Sequence, residues 1–274
     1  MLKYRVITAA ILIPFVIWSI IFSSAEGFTY GLAVVLFMAS LEWNKFVGLK
    51  NILTGLLFSI AVTASFLFLE YLANLEVIKY VIYLSLVWWL LSLPLLFSFP
   101  FKITHLLQQQ FPKIVVGFIM LLSTFLALNL LRNSPQYGSD FVIYLLVIIW
   151  VADSGAYFAG RAFGKHKLIP NVSPGKSWEG VVGAIIVTVI ASIVAIDLLS
   201  IPSSASLLFV FITFITVIYS VIGDLSESMF KRMANLKDSG NILPGHGGIL
   251  DRIDSLTSAL PIFVVGLWLM ENVG

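Results

Sequence analysis

The chain has 274 residues, 59% of them hydrophobic and 11% charged, with a mean hydropathy of +1.02. A soluble domain is nearer ~45–50% apolar and could not carry this excess without exposing large apolar patches, so a water-soluble globule is excluded. The net charge of +2 is too small to suggest nucleic acid as a partner, and the absence of cysteine rules out a disulfide framework, a thiol nucleophile and a cysteine-ligated zinc.

The first segment, MLKYRVITAAILIPFVIWSIIFSSAEG, has the basic start, apolar run and small-residue end of a signal peptide. Its apolar run, Val6 to Phe22, exceeds the ~7–15 residues of such a leader's core, so it is read as a retained first span. Eight further runs follow near 27–41, 52–69, 77–98, 114–131, 141–159, 179–199, 205–222 and 255–271. None alternates with period two, which argues against a membrane barrel. Helices close their own backbone hydrogen bonds, as lipid demands, and tolerate kinks at Pro14, Pro94 and Pro261. The expected fold is all-α: a polytopic integral membrane protein of about nine transmembrane helices. Residues 1–140 supply about five N-terminal spans, and 141–274 form a catalytic region with two polar loops, 160–178 and 223–254. No internal repeat or soluble domain is visible.

Lysine and arginine set the orientation. With the N-terminus in the cytoplasm, Lys3, Arg5, Lys45, Lys50, Lys102, Lys113, Arg161, Lys165, Lys167, Lys176, Lys231, Arg232, Lys237 and Arg252 fall inside, and only Lys79 and Arg132 outside. This 14-to-2 split predicts N-terminus in and C-terminus out. Both long polar loops then face the cytoplasm, where nucleotides are.

The first loop, with the end of span six, reads WVADSGAYFAGRAFGKHKLIPNVSPGKSWEG. Asp153 sits in an apolar helix at a cost of ~2.5–3.5 kcal/mol on insertion scales, so it needs a partner, a metal or a water-filled cavity. Arg161, Lys165, Lys167 and Lys176 either only hold the loop inside or cradle an anion. Their interleaving with Gly160, Gly164, Gly175 and Ser173-Pro174 favours the anion, as does a helix start near Ser177.

The second loop begins in the tail of span eight. If that tail is helical, Asp224, Glu227, Ser228 and Lys231 share one face. Residues 231–254 then carry 7 of the 30 charged side chains, ending in Pro244-Gly245-His246-Gly247-Gly248 and Asp251-Arg252-Ile253-Asp254. Asp224, Asp251 and Asp254, at two helix ends near the membrane surface, would repel one another without a bridging cation. Hard oxygen ligands of this kind suit Mg²⁺, and glycines let backbone N–H groups approach phosphate. The chemistry points to a metal–polyphosphate site.

Residues 228–254, Ser-x-x-Lys-Arg-x4-Lys-Asp-Ser…Leu-Pro-Gly-His-Gly-Gly-x-x-Asp-Arg-x-Asp, resemble the signature of phosphatidate cytidylyltransferases, also called CDP-diacylglycerol synthases. The upstream Asp-Ser-x-Ala-Tyr…Gly-Arg-x-Phe-Gly-Lys…Ser-Pro-x-Lys-Ser-Trp-Glu-Gly resembles the same family. The match covers roughly 150–260. The resemblance implies Mg²⁺-dependent conversion of CTP and phosphatidic acid to CDP-diacylglycerol and pyrophosphate in phospholipid biosynthesis, by a multi-pass homodimer of the cytoplasmic (inner) membrane. It implies metal ligation by Asp224, Ser228 and Asp251, with Asp254 and Glu227 as further candidates, and a second cation as an option. Catalytic roles fall to Asp224, Asp251, Lys237 and Arg252. Substrate binding falls to Arg161, Lys165, Ser173, Lys176, Lys231, Arg232, Asp238, His246, Gly247 and Gly248.

A phosphate monoester, with a second pKa of ~6, needs no strong general base, so His246 is expected to donate to phosphate or shape its loop. His105 and His166 are expected to be ordinary loop residues, and Lys45 a purely topogenic one. The rivals are a related CTP-dependent enzyme acting on another lipid, either a lipid-phosphate cytidylyltransferase or a polyprenol kinase, and a transporter. The transporter is disfavoured because charge gathers at one membrane face and no inverted repeat is seen. A dead scaffold is disfavoured because every expected ligand type is in place.

Overall fold

A computed structural model describes residues 2–100 and 106–271, with side chains from residue 7 onward. Lys102 and His105, and the side chains of Lys3 and Arg5, lie outside the described residues. Among the described residues the chain forms α1 (Leu2–Phe22), α2 (Ala25–Val47), α3 (Ile52–Leu72), α4 (Leu75–Ser98), α5 (Gln110–Asn133) and α6 (Gly138–Phe163). A short hairpin follows, β1 (Lys167–Ile169) and β2 (Ser173–Ser177), then α7 (Trp178–Leu198), α8 (Ser206–Met233) and α9 (Leu250–Glu271). Eight of these helices, α2 to α9, are long and apolar enough to cross a membrane, while the apolar stretch described in α1, Ile7–Phe22, is shorter. The chain is an all-α polytopic membrane protein.

Local sequence explains where the helices begin and end. Ser24, Asn51, Asn74 and Ser177 cap α2, α3, α4 and α7, each side-chain oxygen accepting from a first-turn N–H. Gly48 ends α2 in the left-handed conformation (φ 80°), which a glycine adopts at little cost. Pro14, Pro94 and Pro261 lie inside α1, α4 and α9, as expected.

Two helices run well past the apolar runs that mark them. The last two turns of α2 bury Glu42, Trp43 and Asn44 against protein rather than lipid. Trp43 Nε1 donates to Lys113 O at 2.9 Å, and Asn44 Nδ2 donates to Gly55 O at 2.8 Å. The final turns of α8 likewise bury Glu227, Met229 and Phe230, and Trp43 meets Phe230 edge-on at 4.9 Å, joining α2 to α8.

α5 and α9 are the most enclosed spans and α7 the most exposed on its flanks. Small residues set the closest approaches. Gly155 and Gly183 bring the α6 and α7 backbones together, since a β-carbon on Gly183 would collide with Ala159 and crowd Gly155 O. At Gly223 a β-carbon would collide with Ser258 Oγ and lie 2.6 Å from Asp254 O, so α8 and α9 touch there. That contact places the acidic ends of both helices side by side.

The hairpin was not foreseen. Its strands are antiparallel, pairing Lys167 with Ser177 and Ile169 with Ser173, and Trp178 N–H donates to His166 O at 3.0 Å to close it onto α7.

Candidate active site

Four carboxylates and two lysines meet where α8 and α9 adjoin. Lys176, on β2, puts Nζ 2.7 Å from Asp224 Oδ2, and Ser228 Oγ donates to Asp224 Oδ1 at 3.3 Å. One turn further along α8, Lys231 Nζ lies 2.7 Å from Asp251 Oδ1 and 3.3 Å from Glu227 Oε1. Asp254 accepts from Ser255 N–H at 2.7 Å and feels the charges of Asp224, Lys176 and Lys231. The i, i+3, i+4 face expected on α8 therefore exists, and Asp224 and Asp251 belong to one cluster, linked through Glu227, Asp254 and the lysines.

Loop 234–249 folds over this cluster. Gly245 and Gly247 have φ of 77° and 82°, where a side chain would be strained, and Leu243 pairs with Gly247 in an isolated bridge. Asp251 Oδ2 accepts three bonds: from Ser239 N–H at 2.9 Å, Ser239 Oγ at 2.9 Å and Gly248 N–H at 2.8 Å. Arg252 donates to His246 O through Nε at 3.0 Å and Nη2 at 2.6 Å, so it braces the loop as well as adding charge. His246 Nδ1 is buried with no hydrogen-bond partner among the described residues. Lys237 and Asp238 stand exposed on the loop, Asp238 beside Gly247.

On the other side lies a cleft of about 340 Å³ between α6, α7 and α8, roofed by Gly175 and Lys176. Asp153, Tyr157 and Arg161 line it on α6, and Val181 and Val221 give it an apolar floor. Asp153 thus opens onto a cavity that Lys176 also lines. Arg161 Nη1 donates to Tyr157 Oη at 3.1 Å. Lys165 is exposed, and Ser173, half-buried, opens β2. Arg232 reaches across to the hairpin, donating to Val172 O at 3.3 Å. His166 pairs with Glu179 at 2.7 Å, outside the cluster.

The donors suit a hard divalent ion: carboxylates and a hydroxyl, with both Glu227 oxygens buried and lacking a hydrogen bond. Among the described residues no three acidic or histidine side chains are gathered tightly enough to ligate one together. Lys176 and Lys231 supply the counter-charge at Asp224 and Asp251.

The model of the cytidylyltransferase family matches residues 3–270. The chain belongs to the cytidylyltransferase family. A phosphatidate cytidylyltransferase of Pseudomonas aeruginosa is 38% identical over 268 residues, covering 98% of this chain and 97% of that protein. One of Haemophilus influenzae is 37% identical over 285 residues, covering 96% and 97%. A third, of Bacillus subtilis, is 40% identical over 166 residues, covering 58% and 60%.

Within this cytidylyltransferase fold, sequence reasoning overlooked what α2 brings. Glu42 is 2% exposed, and its Oε2 accepts from Ser239 Oγ at 3.0 Å and from Leu250 N–H at 2.9 Å. Lys45, expected to be only topogenic, donates to Ser239 O at 2.9 Å. Lys113, also assigned to topology, is buried and donates to Phe46 O at 2.9 Å, fixing the end of α2. One signal was available: Glu42 is an acidic residue directly at the end of the apolar run 27–41, close kin to the acidic residue within a span that drew attention to Asp153.

Proposed function

We propose that the chain is a phosphatidate cytidylyltransferase, joining CTP to phosphatidic acid to give CDP-diacylglycerol and pyrophosphate. The full-length similarity to enzymes of that name supports the reaction. The single structural observation that carries it is the cluster at the α8–α9 junction, lysines set among carboxylates between a glycine loop and a half-apolar cleft. Such a site offers polar groups to a triphosphate on one side and to a lipid headgroup on the other.

A phosphate oxygen of the lipid attacks the α-phosphorus of CTP in line, and pyrophosphate leaves. The nucleophile is already deprotonated near neutral pH, with a second pKa of ~6, so the protein's work is to bring two anions together. Lys176 and Arg161, lining the cleft, hold the lipid phosphate while its acyl chains stay in the bilayer. Lys231, Arg232, Lys237 and Arg252 neutralise the triphosphate, aided by the Gly247 N–H and by His246, while the Gly248 N–H is taken up by Asp251 Oδ2. Mg²⁺ would be held by one or two carboxylates at a time, Asp224 beside the Ser228 hydroxyl first among them and Asp251, Asp254 and Glu227 as further candidates, with substrate phosphates and water completing its shell. Bound there, the ion adds positive charge against the polyphosphate, and a second cation would add more. The site faces the cytoplasm across the inner membrane, with the N-terminus in and the C-terminus out. The protein works as a homodimer, which chemical cross-linking in native membranes would reveal.

The test is detergent-purified protein given labelled CTP, phosphatidic acid and Mg²⁺, with the products separated. CDP-diacylglycerol and pyrophosphate are expected, and chelation by EDTA should stop turnover. Release of CDP with a phosphorylated lipid would replace this reading with a polyprenol-type kinase, and turnover unaffected by EDTA would remove the metal.

A further inference from the structure

α2 lies outside both motif-bearing segments, yet its last turns are wired into the loop that carries Asp251. Ser239, fully buried, is the junction. Its N–H and Oγ both reach Asp251 Oδ2 at 2.9 Å, its carbonyl accepts from Lys45, and its Oγ lies 3.0 Å from Glu42 Oε2. A hydroxyl carries one proton, so Ser239 Oγ can serve only one of the two carboxylates at a time. Glu42 Oε2 also takes the Leu250 N–H at 2.9 Å, in the turn that starts α9. The fit is close on every side, because a β-carbon at Gly240 or Gly248 would collide with the Glu42 carboxylate.

Packing does not account for a carboxylate at this position. Burying one is costly, and Glu42 Oε1 has no hydrogen-bond partner among the described residues, so leucine would fill the space at lower cost. What glutamate adds is an acceptor that fixes Ser239 and Leu250 relative to each other. Those two residues bracket the loop whose N–H groups saturate Asp251 Oδ2 and leave Oδ1 aimed at Lys231.

We infer that Glu42 is a positioning residue for Asp251, acting through the Ser239 hydroxyl and the Leu250 N–H. The inference rests on the proposed catalytic role of Asp251. Removing the acceptor lets loop 239–250 relax and the Asp251 carboxylate turn, which lowers turnover more than substrate affinity.

The test is a double-mutant cycle in the purified full-length protein, with rates normalised to the monodisperse fraction. Glu42→Leu should lower kcat about 10–100-fold, the usual effect of losing a residue that orients a ligand, with KM for CTP and phosphatidic acid nearly unchanged. Glu42→Gln, which keeps one oxygen acceptor, should recover most of that loss. Added to Asp251→Asn, Glu42→Leu should lower the residual rate by less than about twofold, because the two act as one unit. Wild-type kcat in Glu42→Leu, or multiplying effects in the double variant, would overturn the inference while leaving the Asp251 assignment standing. Wild-type turnover in Asp251→Asn would instead remove the catalytic reading itself. If Glu42→Leu does not fold, Ser239→Ala reports on the same link, and an unchanged kcat there overturns the inference equally.

Discussion

The two lysines of the cluster are alike in charge and unlike in setting. The Lys231 side chain is 12% exposed and lies between Glu227 and Asp251, themselves 6% and 8% exposed. Breaking a buried pair by removing one partner typically costs ~3–5 kcal/mol, because the remaining charges stay buried without compensation. Lys231→Met should therefore lose stability as well as activity, seen as a lower melting temperature in detergent and less monodisperse protein. The Lys176–Asp224 pair is more open, at 26% and 30% exposure. Lys176→Met should keep its melting temperature but lose ~10²–10³ in kcat, the scale of removing one preorganised donor from a reacting phosphate. Equal losses of stability in the two variants would show that the cluster is structural rather than functional. Lys45 is subtler. Its single bond to Ser239 O is worth ~0.5–1 kcal/mol, so Lys45→Gln should slow turnover about two- to fivefold. A silent variant would return Lys45 to the topogenic role its position alone suggests.

At the scale of helices, function depends on how close α8 and α9 come. Gly223 sets that distance, with Ser258 and Asp254 O against it. Gly223→Val should wedge the helices apart one residue from Asp224 and abolish turnover, while the α6–α7 contact at Gly183 is untouched. Full activity in that variant would mean the carboxylates need not converge. Much of this element-level picture was legible beforehand. Hydropathy marked the membrane runs, but it ended span eight at 222 and left 223–233 in the polar loop. The structure continues α8 to Met233, which supplies the helical condition on which Asp224, Glu227, Ser228 and Lys231 share one face. The hairpin was hidden because Ser173-Pro174-Gly175 has little intrinsic strand preference. Its pairing is sustained from outside, by Trp178 N–H on His166 O and Arg232 on Val172 O. The contribution of α2 was hidden for a different reason. Glu42 and Ser239 are separated by 197 residues, and no local pattern couples positions that only tertiary packing brings together.

The whole molecule turns on which face of the membrane the cluster occupies. The last turns of α2, α6 and α8 and the first turns of α7 and α9 all gather around it, and Thr8 of α1 donates to Pro244 O at 3.0 Å on the same side. Along the sequence, the alternation of spans assigns 14 lysines and arginines to the side of that cluster and 2 to the other. Lysine and arginine in short loops are held on the cytoplasmic side during insertion, so the site should open where CTP is made and used. The absence of cysteine makes this easy to measure, because any introduced thiol is the only one present. Ser203→Cys, on the exposed connection before α8, should react with a membrane-impermeant maleimide in intact cells. Asn241→Cys, exposed on the loop beside the cluster, should react only after the membrane is permeabilised. The opposite labelling pattern would put the lysines and carboxylates on the face without nucleotide. A transferase drawing on cytoplasmic CTP could not work from there, whatever the geometry of Asp224 and Asp251.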